Sequence, residues 1–352
     1  MSIIELRLTD VRCISAAQLQ LAPTHNLVWG RNGSGKTTLL ESLFLLGRGR
    51  SFRTRNSERL IRFGQQQLVV FGRTDDLPAR QIGIEVRRPH GTTARINGSD
   101  APSLAELSQA FPVQIIDPGV HKLLEEGAHR RRRWLDWAVF HVEPAFAEHW
   151  TRYTRAVRQR NAALKHRPEE AWAWDPELAR LGELIAASRH SVLNLLAPFW
   201  SATVARLSQL DATLHYQRGW AQGTTLAESL QESRPRDALR GMTHSGPHRA
   251  DVLVRLGGRL GRDVLSRGQQ KLVAIAMILA QIRLLQDAVG LYPTLLLDDP
   301  GAELDSSYLR EFIGEVQQLG CQLVLTALSP DSDPFGMPDR VFHVEQGKVA
   351  VV

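Results

Sequence analysis

The chain has 352 residues, of which 43% are hydrophobic and 23% charged, and its 43 basic and 37 acidic residues leave a formal net charge of +6. This composition is typical of a globular protein and excludes a disordered chain, a collagen-like fibre and a coiled-coil rod. The two cysteines lie outside any CxxC or Cys/His cluster, which excludes a disulfide framework and a thiolate zinc site. The small positive charge permits a polyanionic partner without requiring one.

The first third of the chain alternates between strand-like and helical patterns. Apolar residues predict short strands near residues 3–8, 19–21 and 27–29, and helical spacing predicts a helix over 36–46 that ends at Gly47 and Gly49. Three further strand-like stretches, at 68–71, 82–86 and 92–96, are separated by Pro, Gly and Asp turns, as in an antiparallel meander. Acidic and basic residues interrupt the N-terminal segment, which therefore lacks the pattern of a secretory signal.

Residues 127–240 consist of long amphipathic helices rich in Ala, Leu, Arg and Glu, which predicts an inserted helical subdomain. Seven of the eight tryptophans lie here, and we expect them to pack within and between helices rather than to stack on bases. Strand and helix patterns return at 252–256, 266–285, 294–297, 306–319 and 322–326. The apolar run at 272–280 is about half as long as a bilayer-spanning helix, so we expect no membrane association.

The strongest local motif matches GxxxxGK[ST] and lies between a predicted strand that ends at Trp29 and a predicted helix. Its predicted nucleotide-binding residues are Gly30, Arg31, Asn32, Gly33, Ser34, Gly35, Lys36, Thr37 and Thr38. Backbone N–H groups and the helix N-terminus would hold the phosphates of ATP. Lys36 would bridge the β- and γ-phosphates, and Thr37 would complete a Mg²⁺ shell.

A second acidic element follows a buried strand at residues 295–297, as in a Walker B motif. Asp298 would hold Mg²⁺, directly or through water, and Asp299 would activate the attacking water, with Glu303 as the alternative for that role. A strand that ends in two aspartates is common at solvated turns and helix caps. The phosphate-binding motif in the same chain favours the catalytic interpretation.

A third element, Leu-Ser-Arg-Gly-Gln at residues 265–269, resembles the LSxGQ signature of ATP-binding-cassette ATPases. It precedes a predicted helix with Ser266 at the N-cap. Such a site offers a hydroxyl, glycine N–H groups and a helix dipole to a phosphate.

The whole chain resembles the RecF family of bacterial recombination-repair ATPases, which are related to SMC-type heads. The matching segments, in order, are LRLTDVRCI, WGRNGSGKTTLLESLFLLGRGRSFR, RRRRWLDW, YTRAVRQRNAALK, HSGPHRAD, LSRGQQK and LLLDDPGAELD. The resemblance implies an α/β fold, an ABC-type P-loop ATPase head with a mixed β-sheet core, an antiparallel β-meander and an inserted helical subdomain. The expected domains are residues 1–126, 127–240 and 241–352, the first and third together forming the ATPase lobe.

The resemblance also implies a function and a set of partners. We expect a weak, DNA-stimulated ATPase that forms a homodimer with ATP, binds duplex or gapped DNA and, with RecR and RecO, promotes RecA loading on single-stranded gaps. The signature residues Ser266, Arg267, Gly268 and Gln269 would face the nucleotide of the second copy, and Asp305 would belong to the D-loop. ATP and Mg²⁺ are the implied cofactors, and the cytoplasm is the implied location.

The sequence offers two groups of arginines as candidates for DNA contact. Arg130 and Arg131 belong to the densest basic run, and they either contact DNA or hold the insertion to the ATPase core; Arg48, Arg50, Arg53 and Arg55 are the next candidates. Two other functions share the same ATPase motifs: a nucleotide-binding subunit of a membrane transporter, and an SMC-like nuclease. The large insertion and the absence of a histidine after the 322–326 strand disfavour the transporter, and the lack of an appended domain for a carboxylate cluster disfavours the nuclease.

Overall fold

The computed structural model describes residues 1–101, 104–303 and 305–352, and contacts divide the chain into two compact units. The sheet unit comprises Met1–Val120 and Gly290–Val352, and the helical unit comprises His121–Val289.

The first part of the sheet unit contains β1 (Ile3–Val11), β2 (Ile14–Gln20), β3 (His25–Trp29), α1 (Lys36–Arg48), β4 (Gln67–Thr74), β5 (Gln81–Arg87), β6 (Gly91–Ile96), β7 (Ser99–Asp100), α2 (Leu104–Ala110) and β8 (Val113–Ile116). The helical unit contains α3 (Lys122–Glu125), α4 (Ala128–Val142), α5 (Phe146–His166), α6 (Pro168–Ala171), α7 (Asp175–Ser208), β9 (Thr213–Gln217), α8 (Leu226–Arg240), β10 (Asp251–Leu256), β11 (Arg259–Leu260), α9 (Gly261–Val264) and α10 (Arg267–Val289). The sheet unit then continues with β12 (Thr294–Leu297), α11 (Pro300–Glu303), α12 (Ser306–Gln317), β13 (Leu323–Ala327), β14 (Arg340–Glu345) and β15 (Lys348–Val351). Short 3₁₀ helices occur at Ser57–Leu60, Trp172–Trp174, Pro247–Arg249 and Pro330–Ser332.

Two sheets form the sheet unit. The antiparallel sheet has the strand order β2-β1-β4-β5-β6-β7, which confirms the predicted meander. The mixed sheet has the order β15-β14-β3-β13-β12-β8, in which β15 is antiparallel and the other neighbouring strands are parallel. Because β3, β13 and β12 are parallel neighbours, their carboxyl ends meet at one edge of this sheet.

Helix α1 lies between the two sheets and contacts strands of both. All but two of its 13 residues are buried, as expected for a helix that is apolar on most of its surface. The helix ends at Gly49, which has φ 61°, but the prediction that Gly47 also ends it is wrong. At Gly47 a Cβ atom would lie 2.2 Å from the Phe111 carbonyl oxygen, so glycine is present for close packing.

The side chain of Gln322 joins the two sheets. It accepts a hydrogen bond from Ile3 N at 3.0 Å and donates to Ile3 O at 2.8 Å and to Ala22 O at 2.7 Å. It also accepts from the Thr294 hydroxyl at 2.9 Å. A buried amide with all these partners is fully compensated for its loss of water and fixes the start of β13 against β1.

In the helical unit, α10 packs against α7 and α4. This packing assigns residues 241–289, with the signature segment, to the helical unit, whereas the predicted domain boundaries lie at residues 126 and 240. Helix α10 is long and apolar enough to cross a membrane by length and composition, but 72% of its most apolar window is buried inside the protein. Burial of this extent is typical of a core helix.

The tryptophans of the helical unit pack as predicted. Trp134, Trp137 and Trp200 are at most 6% exposed. The ring of Trp150 stacks on Tyr153, and the indole of Trp134 donates to the backbone of α10 at 3.1 Å. Their apolar area therefore stabilises the helical core.

Candidate functional site

The loop between β3 and α1 has a backbone geometry that fits a phosphate-binding loop. Gly35 has φ 121° at the start of α1, where residues with a Cβ are strained. A Cβ at Gly30 would lie 2.3 Å from the carbonyl oxygen of Val344, on the neighbouring strand β14. Arg31, Asn32 and Gly33 at the crest of the loop are exposed. The N-terminus of α1 is therefore open to an anion.

The hairpin formed by β14 and β15 supports this loop from behind. Gly347, at its turn, donates a backbone hydrogen bond to Ser34 O at 2.9 Å. A Cβ at Gly347 would lie 2.1 Å from the carbonyl oxygen of Cys13, so the turn packs closely against the loop that connects β1 and β2. The loop is thus fixed by segments distant in sequence.

Lys36, the first residue of α1, is 5% exposed and directs its ammonium group back over the loop. Its Nζ donates to Gly30 O at 2.8 Å and lies 4.0 Å from Asp299 Oδ2. These partners hold the cation at the mouth of the loop, where phosphate oxygens would replace the carbonyl as acceptors.

Asp298 and Thr37 come together at the shared strand edge. The Thr37 hydroxyl lies 3.1 Å and 3.2 Å from the two Asp298 carboxylate oxygens, and Thr326 at the end of β13 donates to Asp298 Oδ1 at 2.9 Å. Burial raises the pKa of Asp298, and the charge of Asp299 acts in the same direction. The two hydroxyl hydrogen bonds and the charge of Arg53 oppose this shift and favour the carboxylate.

Asp299 adopts a left-handed backbone conformation with φ 50°, which is uncommon for a residue other than glycine. Its N–H donates to the Thr326 hydroxyl at 2.9 Å, and that bond holds the turn. Its Oδ1 is buried and has no hydrogen-bond partner among the described residues. A buried carboxylate oxygen without a donor is available to a ligand or a water molecule.

These residues fit ATP with Mg²⁺. Besides Asp299 Oδ1, the buried Ser34 hydroxyl has no partner within the described ranges, and both atoms belong to the same loop-and-strand edge. Within the part of the chain that the structure describes, no three His, Cys, Asp or Glu side chains gather as a metal site. Thr37 and Asp298 would hold Mg²⁺ together with phosphate oxygens, as is usual for this ion. Thr38, also predicted to contact nucleotide, is buried at 4% exposure.

The signature segment, residues 265–269, lies in the helical unit. Ser266 N donates to Gln269 Oε1 at 3.0 Å, and Gln269 N donates to Ser266 Oγ at 3.3 Å. This reciprocal pair is a capping box, so the prediction of Ser266 at the N-cap is confirmed. Ser266, Arg267 and Gly268 are exposed at the start of α10, which is 23 residues long. The exposed helix start can accept an anion.

Two further predicted site residues, Glu303 and Asp305, follow Asp299 by four and six positions. The side chain of Glu303 lies outside the described residues. Asp305 is exposed and occupies the N-cap position of α12, and its side chain makes no capping hydrogen bond.

Of the two roles predicted for Arg131, a contact to DNA or a brace between the insertion and the ATPase core, the structure favours the brace. This side chain is buried, and its guanidinium binds both oxygens of Asp251 at 2.8 and 3.0 Å and the carbonyls of Leu123, Leu124 and Glu126. These partners lie outside the predicted insertion 127–240, so Arg131 holds its first helix, α4, to segments that were predicted to belong to the ATPase core, as the second alternative expects. The contacts of the chain group all of these residues in the helical unit. Arg130 is half-exposed and forms an ion pair with Glu126.

The basic loop that follows α1 contains the other predicted DNA contacts. Arg48 donates to Val113 O at 3.2 Å and to Gln114 Oε1 at 3.1 Å, and burial lowers its pKa. Arg50 also has a partner within the chain. Arg53 and Arg55 are exposed. Arg48 is therefore a structural residue, whereas Arg53 and Arg55 stay predicted contacts.

Sequence reasoning did not identify Thr326 or the position of Arg53 near Asp298. Thr326 was the last residue of a predicted strand and had no motif of its own. The order of the strands in the mixed sheet brings its hydroxyl to Asp298, and that order is not encoded locally.

The fold and site define an ABC-type P-loop ATPase head with a helical insertion. The model of the RecF/RecN/SMC N terminal domain matches residues 2–348. The chain is 39% identical over 360 residues to the DNA replication and repair protein RecF of Pseudomonas aeruginosa (strain LESB58), with 99% of this chain and 98% of that protein covered. It is 36% identical to the protein of that name from Shewanella sp. (strain MR-7), with both chains fully covered.

Solved structures agree with this. A structure of the recombination mediator protein RecF-ATPrS in the RecFOR pathway superposes with a TM-score of 0.87 at 26% identity, covering 99% of this chain and 98% of that one. A SmcHead bound to the C-winged helix domain of ScpA shares the fold, with a TM-score of 0.57 at 15% identity, and covers 100% and 97% of the two chains. This chain belongs to the RecF family.

Proposed function

We propose that this protein is an ATP-dependent DNA-binding protein of recombinational repair and replication restart. The observation that carries the proposal is the geometry at one strand edge, where Thr37 is hydrogen-bonded to Asp298 and Lys36 forms an ion pair with Asp299. The chain that holds this site is related to RecF over its whole length. A RecF structure that includes ATPrS supports ATP as the nucleotide.

Each residue of the site has a chemical role in this proposal. The loop N–H groups and Lys36 bind the β- and γ-phosphates, and Thr37 and Asp298 hold Mg²⁺, which when bound neutralises phosphate charge. Asp299 accepts a proton from a water molecule whose oxygen attacks the γ-phosphorus, and the bond to the β-phosphate oxygen breaks to release ADP and phosphate. Its unpartnered Oδ1 is the candidate proton acceptor. The ATPase is slow and stimulated by DNA.

ATP also assembles the protein in this proposal. The signature residues Ser266, Arg267, Gly268 and Gln269 of one copy contact the nucleotide in the loop of a second copy, and the Asp305 segments meet at the same interface. A two-fold assembly of this kind places two nucleotides at identical sites. Hydrolysis then releases the dimer.

The homodimer binds duplex or gapped DNA in the cytoplasm and, with RecR and RecO, promotes RecA loading on single-stranded gaps. Arg53 and Arg55 are the proposed phosphate contacts, because both are exposed on the basic loop. Binding of this type is electrostatic and largely independent of sequence. Copurification with a membrane would instead favour the transporter subunit, and metal-dependent DNA cleavage would favour the nuclease.

The decisive experiment measures fluorescence anisotropy of gapped, duplex and single-stranded oligonucleotides, with and without ATP, for the parent protein, Lys36→Ala and Lys165→Ala. Lys165 is an exposed lysine on α5 and serves as the matched control. We expect ATP to strengthen DNA binding by the parent and the control and to have no effect on Lys36→Ala. Equal DNA affinity with and without ATP in the parent would refute the proposal.

Sedimentation tests the dimer separately. We expect Ser266→Arg to bind ATP like the parent and to remain monomeric at saturating ATP, because the signature contributes only to the second copy's site. A parent protein that is itself monomeric at saturating ATP would refute the two-fold assembly.

A further inference from the structure

Strand β9 of the helical unit has an open edge. It is the last strand in the order β11-β10-β9, and it pairs with β10 from Thr213 opposite Arg255 to Gln217 opposite Asp251. Within the described residues, the other edge of β9 pairs with no strand, and residues 213–217 make no backbone hydrogen bond to a segment outside this sheet. Such an edge presents a row of unpaired N–H and C=O groups that another strand can bind.

A groove runs along this edge. Two cavities of about 900 and 460 Å³ lie between α7 and β9, and both are lined by His190 and Tyr216. Every residue from 211 to 220 lines one or both of them. Side chains of a strand alternate between its two faces, so lining by consecutive residues indicates a groove along the strand edge rather than over one face. We call this the α7–β9 groove.

The other wall of the groove is one face of α7. Its lining residues include Glu183, Ala186, Ala187, His190, Asn194 and Ala197. Residues 183, 187, 190, 194 and 197 recur every three or four positions, and Ala186 adjoins Ala187, so they lie on one side of the helix. From residue 183 to residue 201 the wall is about 27 Å long at 1.5 Å per residue, which accommodates an extended segment of about eight residues.

The two ends of the groove differ in charge. One end has Arg218 and Arg249, and the Arg218 guanidinium lies 4.8 Å from the centroid of the Trp220 ring. Arg218 also donates to Ala221 O at 2.7 Å and to Thr224 O at 2.8 Å, which fixes its position. The nearby carboxylate of Glu183 is engaged, because it accepts from Leu226 N at 2.7 Å at the start of α8. This end therefore attracts an anionic group.

The remainder of the groove is less polar. Leu193, Trp200 and Tyr216 line its middle part. At the basic end, the indole N–H of Trp220 is buried and has no acceptor among the residues that the structure describes. An occupant thus needs apolar side chains along its middle, a backbone able to pair with β9, and negative charge near Arg218 and Arg249.

We propose that the α7–β9 groove binds an extended segment of a partner protein by strand addition to β9, with apolar side chains in the groove and acidic side chains at Arg218 and Arg249. A peptide backbone offers donors and acceptors in alternation at the spacing of the strand edge. A DNA backbone offers only acceptors to such an edge and would leave the carbonyl groups of β9 unmatched. This surface is additional to the nucleotide and DNA sites of the proposed function.

The test begins with a phage-displayed library of random dodecapeptides selected against the full-length protein. An enriched peptide, labelled with fluorescein, is then titrated against the parent, Ala187→Trp, Ala197→Trp and Ala202→Trp. All three alanines are exposed on α7, but only the first two line the groove, so the third is the matched control. Thermal melts establish that the variants are folded.

We expect enriched peptides to be apolar and acidic, and both groove variants to weaken their binding by about tenfold or more, with Ala202→Trp within about twofold of the parent. Hydrogen exchange should slow at residues 213–217 when the peptide binds. The proposal is overturned if no peptide is enriched, if the groove variants bind the peptide like the parent, or if exchange at β9 is unchanged. Displacement of the peptide by oligothymidylate at equal concentration would also overturn it in favour of a nucleic-acid ligand.

Discussion

Protonation of His248 should destabilise the helical unit at mildly acidic pH. The Tyr153 hydroxyl lies 2.7 Å from His248 Nδ1, and Nε2 lies 3.1 Å from Thr243 O. Burial raises the pKa of Tyr153, so its hydroxyl stays protonated and donates to Nδ1, and Nε2–H donates to the carbonyl. The folded protein therefore holds His248 in its neutral form.

The loss of stability at acidic pH follows from the lowered pKa of His248. Burial lowers the pKa of His248 from 6.5 to about 4, and the charges of Arg249 and Arg132 act in the same direction. Between these two pH values the unfolded chain binds more protons than the folded chain, so stability falls as pH decreases from about 6.5 towards 4. At pH 5 the loss from this group is about 2 kcal/mol relative to neutral pH.

The assay is denaturant unfolding at pH 7.5 and pH 5, followed by tryptophan fluorescence, because seven of the eight tryptophans lie in the helical unit. His248→Gln removes the titrating group, and His166→Gln, at the exposed end of α5, is the matched control. We expect the parent and the control to lose about 2 kcal/mol more than His248→Gln between the two pH values. Equal losses in all three proteins would refute the neutral buried histidine.

Three substitutions test other parts of the structure. Arg131→Ala should lower the free energy of unfolding by about 3–5 kcal/mol, because it leaves the mostly buried carboxylate of Asp251 without its guanidinium partner. It should not change the salt dependence of DNA binding. Arg130→Ala, measured in the same melts and titrations, should cost about 1 kcal/mol or less. Gly47→Ala should destabilise the protein by about 1–3 kcal/mol in thermal melts, because the new Cβ would meet a backbone carbonyl. The control Gly314→Ala has open space around its Cβ and should show no loss of stability. Asp299→Asn should bind ATP normally in titration calorimetry and hydrolyse it about 10²- to 10⁴-fold more slowly; a normal turnover rate would exclude Asp299 as the base.

The sequence was sufficient for features that depend on neighbours along the chain. The loop from Gly30 to Lys36 and the pair Asp298–Asp299 were recognisable because a strand, a turn and a helix start follow each other locally. The capping box of Ser266 is also local, since its two partners are three residues apart. The antiparallel meander was predicted from alternating apolar residues, whereas the mixed β-sheet core was implied by the family resemblance.

Features that depend on the order of strands or on distant partners were not accessible in this way. Thr326 reaches Asp298 because β13 lies between β3 and β12, which no pattern within β13 indicates. Arg131 belongs to a run of four arginines, and helical spacing shows that they cannot share one face without showing which of them is buried. Its partner, Asp251, lies 120 residues away. The grouping of α10 with the helical unit likewise depends on contacts between distant helices.

The hairpin behind the phosphate-binding loop has a consequence for the synthesis of the protein. Residues 30–37 leave the ribosome early, but Val344 and Gly347, which press on Gly30 and hold Ser34, are translated more than three hundred residues later. A nascent chain therefore carries this loop without its support until residues 344–347 have been translated. We expect chains that stop before residue 344 to retain nucleotide less well than chains that include the hairpin.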